Sequence, residues 1–148
     1  MGRDLDALRR TDVFAEVSDA ALADLAKRMG DRVFDPGAVL FHEGDPADTL
    51  YVIETGAVRL IKQTPTDRRI ILALLGPGDS FGELALFDDA PRSAMAECTE
   101  HTRCLVLTRD DLRAQIAIDP VIARALLRSL TRVIRRMNER LSDAAMLD

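Results

Sequence analysis

Between Asp31 and Thr108 the chain is cut into short β-rich runs by recurring glycine and proline signals, and this texture restricts its fold more than any other feature. The runs are Arg32–Phe34, Val39–Phe41, Leu50–Glu54, Val58–Gln63, Arg69–Leu75, Ser93–Glu97 and Arg103–Thr108. The breaks read Asp35-Pro36-Gly37, Glu43-Gly44-Asp45-Pro46, Thr55-Gly56, Thr64-Pro65-Thr66 and Gly76-Pro77-Gly78-Asp79. β-Branched and aromatic residues suit a pleated surface, while Gly, Pro and Asp supply turn geometry. Several short strands spaced in this way predict an antiparallel β-barrel or jelly roll, not a βαβ sheet.

Helical patterns flank the β region. Ser18 is placed to cap a helix over Asp19–Met29, with Gly30 closing it, and Leu22, Leu25, Ala26 and Met29 share one face. Leu8 and the Val13-Phe14 pair supply apolar groups for an earlier short helix or turn. After the β region, Thr108 and Asp111 have the shape of a capping box that opens a helix to about Ala117. Asp119 then caps a longer helix with Pro120 at its first position, free of Gly and Pro to near Ala145. The expected architecture is mainly β with flanking helices. A single domain spans 1–148, with its barrel at about 31–108 and its C-terminal helices at about 109–145.

Composition narrows the partners. A net charge of −5 argues against broad nucleic-acid binding, which needs a basic face. The longest aliphatic run, Ile70–Leu75, is far shorter than the ~20 apolar residues of a membrane span, and no signal-peptide pattern opens the sequence. The chain therefore reads as cytoplasmic, with no membrane partner. Cys98 and Cys104 lack CxxC spacing and read as buried free thiols in adjacent strands.

One stretch, Gly78 to Ala94, breaks the strand pattern and carries the chemistry. Gly82 permits close backbone approach to a ligand. Glu83-Leu84-Ala85-Leu86 can form a helical turn whose leading N–H groups favour an anion. Arg92 follows a proline and offers a rigid, permanently charged fork suited to phosphate oxygens. Glu83 is an acceptor suited to a sugar hydroxyl. Together these residues describe a pocket for a sugar phosphate. The plainer alternative is a surface ion pair of Arg92 with Asp88 or Asp89.

Phe81-Gly82-Glu83-Leu84-Ala85-Leu86 followed by Pro91-Arg92-Ser93-Ala94 resembles the phosphate-binding cassette of the cyclic-nucleotide-binding domain family. That family includes catabolite-activator-like regulators, protein kinase A regulatory subunits and nucleotide-gated channels. The glycine-marked turns Pro36-Gly37, Gly44-Asp45, Gly56-Ala57-Val58 and Gly76-Pro77-Gly78 are similar to the family's as well. The resemblance implies a short phosphate-binding helix in the cassette. It also implies that Arg92 pairs with the cyclic phosphate and Glu83 accepts from the ribose 2′-OH. Amides near Gly82, Glu83 and Leu84, with Ser93 and Ala94, hold ribose and phosphate. Ser93 stands between the threonine associated with cGMP and the alanine associated with cAMP; cAMP is the preferred ligand and cGMP the second. No other cofactor is implied.

In the last helix Leu127, Leu130, Ile134, Met137, Leu141 and Ala144 form a heptad-like seam, with Arg124, Arg128, Arg132, Arg135, Arg136 and Arg140 on much of the remaining surface. The seam implies a homodimer, as in the catabolite-activator-like regulators, against the plainer reading of a helix packed on its own barrel. In those regulators two polar residues of this helix reach the purine; the matching positions here are Met137 and Asn138. Those regulators continue into a helix-turn-helix domain; Ala145-Met146-Leu147-Asp148 resembles the hinge, and this sequence presents no DNA-reading helix. The expected function is ligand-gated regulation without catalysis, signalled through the last helix. The alternative is a ligand-independent docking or dimerisation module with a degenerate or occluded pocket. A cupin-like metal enzyme would need clustered ligands, whereas His42 and His101 stand apart, so no metal is expected.

Overall fold

Ser18 sets the start of the first substantial helix. In the computed structural model, which describes residues 5–11, 14–82 and 89–145, its side chain accepts from the Ala21 N–H at 3.2 Å. A short α1 (Leu5–Arg9) precedes it, and α2 (Asp19–Arg28) buries Ala21, Leu22, Leu25 and Ala26. The end of α2 departs from expectation. Met29 is extended, at φ −81° and ψ 143°, and Gly30 is the first residue of a strand rather than a left-handed cap. The chain turns directly into the sheet, and a Cβ on Gly30 would stand 3.2 Å from Val106 Cγ2.

The strands follow as β1 (Gly30–Phe34), β2 (Val39–Phe41), β3 (Thr49–Thr55), β4 (Val58–Gln63), β5 (Arg69–Leu75), β6 (Ser80–Phe81), β7 (Met95–Cys98) and β8 (Thr102–Thr108). They form two four-stranded sheets, ordered β1-β8-β3-β6 and β2-β7-β4-β5, with antiparallel pairing throughout. This is the expected jelly-roll class. β1, β3 and β8 extend one or two residues beyond the runs read from the sequence, to Gly30, to Thr49 and Thr55, and to Thr102, and two further differences are larger. β7 begins at Met95 instead of Ser93, and Ser80–Phe81 adds a two-residue strand beside Tyr51 and Val52.

Two helices close the fold. Thr108 caps α3 (Arg109–Ile118) by accepting from the Asp111 N–H at 3.2 Å. Asp119 Oδ1 accepts from the Val121 N–H at 3.1 Å, opening α4 (Val121–Ala145). No helix among the described residues is long and apolar enough to cross a membrane.

The period of two along β3 and β8 divides the core. Leu50, Val52, Leu105 and Leu107 face a helical layer built from Leu8, Phe14, Leu22, Leu25, Leu112, Ile122 and Leu126. Their neighbours Tyr51, Ile53 and Cys104 face the other way, into a cluster between the sheets with Phe41, Val58, Phe81, Ala96 and Cys98. With both faces covered, β3 reads as a nearly continuous apolar run. Phe14 is fully buried, whereas Val13 lies outside the described residues.

Cys98 and Cys104 are buried free thiols, but not in adjacent strands. β7 pairs with β2 and β4, and β8 with β1 and β3, so the two thiols enter one core from opposite sheets. Burial raises the Cys98 thiol and pushes Cys104 up to about 12 from 9.0. A thiol raised on folding stabilises fully below its ordinary value, and this contribution is lost as pH rises toward the folded one, here from about 9 to about 12. Both thiols are expected to resist iodoacetamide near pH 8 in the folded protein and to react after denaturation. Rapid alkylation of either in the native state would contradict their placement.

Candidate functional site

Arg92 is the organising residue. It emerges from the Pro91 turn next to the loop after β2, where its N–H donates to Asp45 O and its carbonyl accepts from the Gly44 N–H, each at 2.8 Å. The loop is itself closed by the His42 N–H donating to Asp45 Oδ2 at 2.9 Å. This pairing fixes the arginine's backbone, and the side chain turns inward to 5% exposure. There Nη1 donates to Gly82 O at 2.9 Å and Nη2 to Thr49 O at 2.7 Å. The guanidinium carbon lies 4.2 Å from the centre of the Phe41 ring.

The support beneath it is aromatic. Phe41, Tyr51 and Phe81 form a cluster, with Tyr51 and Phe81 stacked at 5.1 Å and 7° and Phe41 tilted against both. Burial pushes the Tyr51 phenol up, opposed by the positive charges of Arg32 and Arg92. A cation over an aromatic face gains about 0.5–2 kcal/mol, more when desolvated.

Gly82 is required by two features at once. Its φ is +89°, and a Cβ there would come within 2.6 Å of Arg92 Nη1 and 3.0 Å of Thr49 O. The glycine at the head of the cassette is therefore what lets the arginine come down onto the backbone.

The expected site residues fall into three groups. Gly82 and Arg92 are brought into direct contact. Ser93 is exposed and Ala94 buried beside them, and Ser93 O accepts from Lys62 Nζ at 3.1 Å. Asn138 is exposed on α4, and among the described residues no hydrogen bond ties it to the cassette. Glu83 and Leu84, with the helical turn expected at 83–86, lie outside the described residues, as does the Met137 side chain. The surface-pair reading of Arg92 does not match its burial. Asp89 pairs instead with Arg109 at 2.5 Å, and Asp88 lies outside the described residues.

Phe41, Thr49 and Lys62 were not legible as site residues. Phe41 reads as an ordinary strand apolar, Thr49 contributes only its carbonyl, and Lys62 also sits 3.3 Å from Glu43 as an exposed ion pair. His42 and His101 are far apart in use. One lies in the turn after β2, and the other stands 3.8 Å from Asp35.

Comparison with known proteins agrees with the fold. The model of the family described as "Cyclic nucleotide-binding domain" matches residues 31–119, more than half of the chain. The chain is 38% identical over 143 residues to a CRP-like cAMP-activated global transcriptional regulator of Mycobacterium tuberculosis, covering 97% of this chain and 64% of that protein. The N-terminal domain of a transcriptional regulator from Streptomyces coelicolor A3(2) superimposes with a TM-score of 0.73 at 39% identity, covering 92% of this chain and 95% of that one. The Thermus thermophilus catabolite activator protein gives a TM-score of 0.81 at 32% identity, covering 91% of this chain and 63% of that one. The chain belongs to the cyclic nucleotide-binding domain family. It spans somewhat less than two thirds of the mycobacterial regulator's length.

Proposed function

We propose that this chain is a cyclic-nucleotide sensor, with cAMP as preferred ligand and cGMP as second, that regulates without catalysis through its last helix. The observation that carries the reading is the buried Arg92 guanidinium, held against the left-handed Gly82 turn and over Phe41. A fixed, permanently charged fork of this kind suits the negative charge of a cyclic phosphate. In this reading Arg92, Ser93 and Ala94 meet the phosphate, and Gly82, Glu83 and Leu84 hold ribose and phosphate. Met137 and Asn138 cover the base from α4. A mycobacterial relative described as cAMP-activated supports cAMP.

The α4 helix supports the regulatory half of the proposal. Its first turns are anchored by buried Ile122, Ala125 and Leu126, while Leu127, Ile134 and Leu141 stand 64%, 56% and 68% exposed. Spaced seven residues apart, that stripe favours pairing with a second copy, the homodimer the sequence suggests. It also leaves a helix whose position nucleotide can bias, to the extent that affinity differs between positions.

Equilibrium dialysis of labelled cAMP against the full chain, with cGMP and 5′-AMP as competitors, tests the proposal. A ligand of about 22 heavy atoms at ~0.3 kcal/mol per atom gives a Kd on the order of 10 µM or tighter. Saturable binding is expected, with cGMP competing less well and the ring-opened 5′-AMP least. Sedimentation of the same samples should show a dimer. Lack of saturable binding by folded, nucleotide-free protein would favour the docking-module alternative.

A further inference from the structure

Three consecutive carbonyls, those of Ala47, Asp48 and Thr49, are taken by two arginines. Arg109 donates from Nη2 to Ala47 O and from its backbone N–H to Asp48 O at 2.8 Å. Arg92 donates to Thr49 O at 2.7 Å. The other terminal nitrogen of Arg109 meets Asp89 at 2.5 Å, on the segment that leads into Arg92. Arg113, one helical turn further along, reaches the same carboxylate at 3.5 Å. Asp89 holds a left-handed φ of 57°, uncommon outside glycine, so the chain needs holding at this point. Arg109 is thus bonded to both segments that flank Arg92, around a cleft of about 610 Å³ that includes Gly44, Asp48, Asp89, Pro91 and Arg109.

Resting on the reading that Arg92 meets the cyclic phosphate, we propose that Arg109 is a positioning residue for the nucleotide site. By fixing Ala47–Thr49 on one side and Asp89 on the other, it holds Arg92 in its binding geometry. It also makes the first turn of α3 the element that responds when Arg92 engages a phosphate. Arg109 opens α3, so a displacement of the 47–49 segment passes to the helix through directly bonded neighbours. The ion pair alone is a weak explanation, because the Asp89 side chain is 67% exposed and solvent screens it. The bond from Nη2 to Ala47 O, which a shorter side chain at 109 would lose, carries the positioning.

A double-mutant cycle on the full chain tests the proposal, reading the cAMP dissociation constant by calorimetry for wild type, Arg109→Gln, Arg92→Lys and the double variant. Arg109→Gln is expected to weaken cAMP about 10-fold in the wild-type background. In the Arg92→Lys background it should cost less than about 2-fold, because an ammonium lacks the planar fork that Thr49 O and Gly82 O orient. Thermal midpoints of the four proteins separate positioning from loss of fold, since a purely structural effect would weaken binding equally in both backgrounds. Asp89→Asn, which keeps a residue tolerant of left-handed φ, is expected to cost about 2- to 3-fold in cAMP affinity. Equal 10-fold losses in both backgrounds, or wild-type affinity in Arg109→Gln, would overturn the proposal while leaving the nucleotide reading intact. A wild-type chain that binds no cAMP would overturn both.

Discussion

Gly56→Ala is expected to lower the thermal midpoint by about 8–16 °C. A Cβ at Gly56 would stand 2.4 Å from Thr102 Oγ1, 2.5 Å from His101 O and 2.6 Å from Thr102 Cα, and the residue sits at φ +98°. Two of the three obstacles are backbone, and the third is the hydroxyl of a fully buried threonine. That hydroxyl accepts from the Ala57 N–H at 3.2 Å and donates to Glu100 O at 2.8 Å, locking the β3–β4 turn onto the β7–β8 turn. Backbone strain of about 1–3 kcal/mol and overpacking of about 1–3 kcal/mol add, giving about 2–6 kcal/mol and about 4 kcal/mol at mid-range. At this chain length each kcal/mol moves the midpoint by about 2–4 °C. Gly37→Ala is the control. It shares a positive φ of +85°, but a Cβ there meets nothing within 4 Å, so it should cost only the strain. Circular-dichroism melts of the two variants decide the matter; equal midpoints would refute the steric account.

Arg92→Ala is expected to weaken cAMP by about 30- to 5,000-fold, the 2–5 kcal/mol that truncating one partner of a buried charge pair costs. The side chain is 5% exposed and oriented by two carbonyls and a ring, so little of the guanidinium's attraction for a phosphate is lost to solvent screening. Its removal also strips Gly82 O and Thr49 O of a donor, which costs folding stability of about 1–3 kcal/mol. The binding comparison is therefore made well below the variant's own melting temperature. Affinity within about threefold of wild type would remove Arg92 from the phosphate role.

The fold was legible where local chemistry leaves one option. The strands Val39–Phe41, Val58–Gln63 and Arg69–Leu75 are bounded by turn residues, and their observed limits coincide with the runs in the sequence. Features that depend on which strand lies beside which were not legible. Nothing local separates Gly30 as a helix cap from Gly30 as a strand opener, and nothing places Cys98 and Cys104 in opposite sheets. The site divides in the same way. Gly82 and Arg92 announce themselves because left-handed backbone and a fixed charge need those residue types. Thr49 acts through a carbonyl that any residue would supply, and Phe41 looks like core until the guanidinium is seen above it. Arg109 reads as an unremarked first residue of a helix, because its partners lie twenty and sixty-two positions away.

The most direct test of the central claim is a calorimetric titration of cAMP into folded protein freed of carried-over nucleotide. Saturable heat is expected, with one nucleotide per chain and a Kd on the order of 10 µM or tighter. A flat titration across that range, on protein with its cooperative thermal transition intact, would contradict the sensor reading and leave Arg92 as a purely structural arginine.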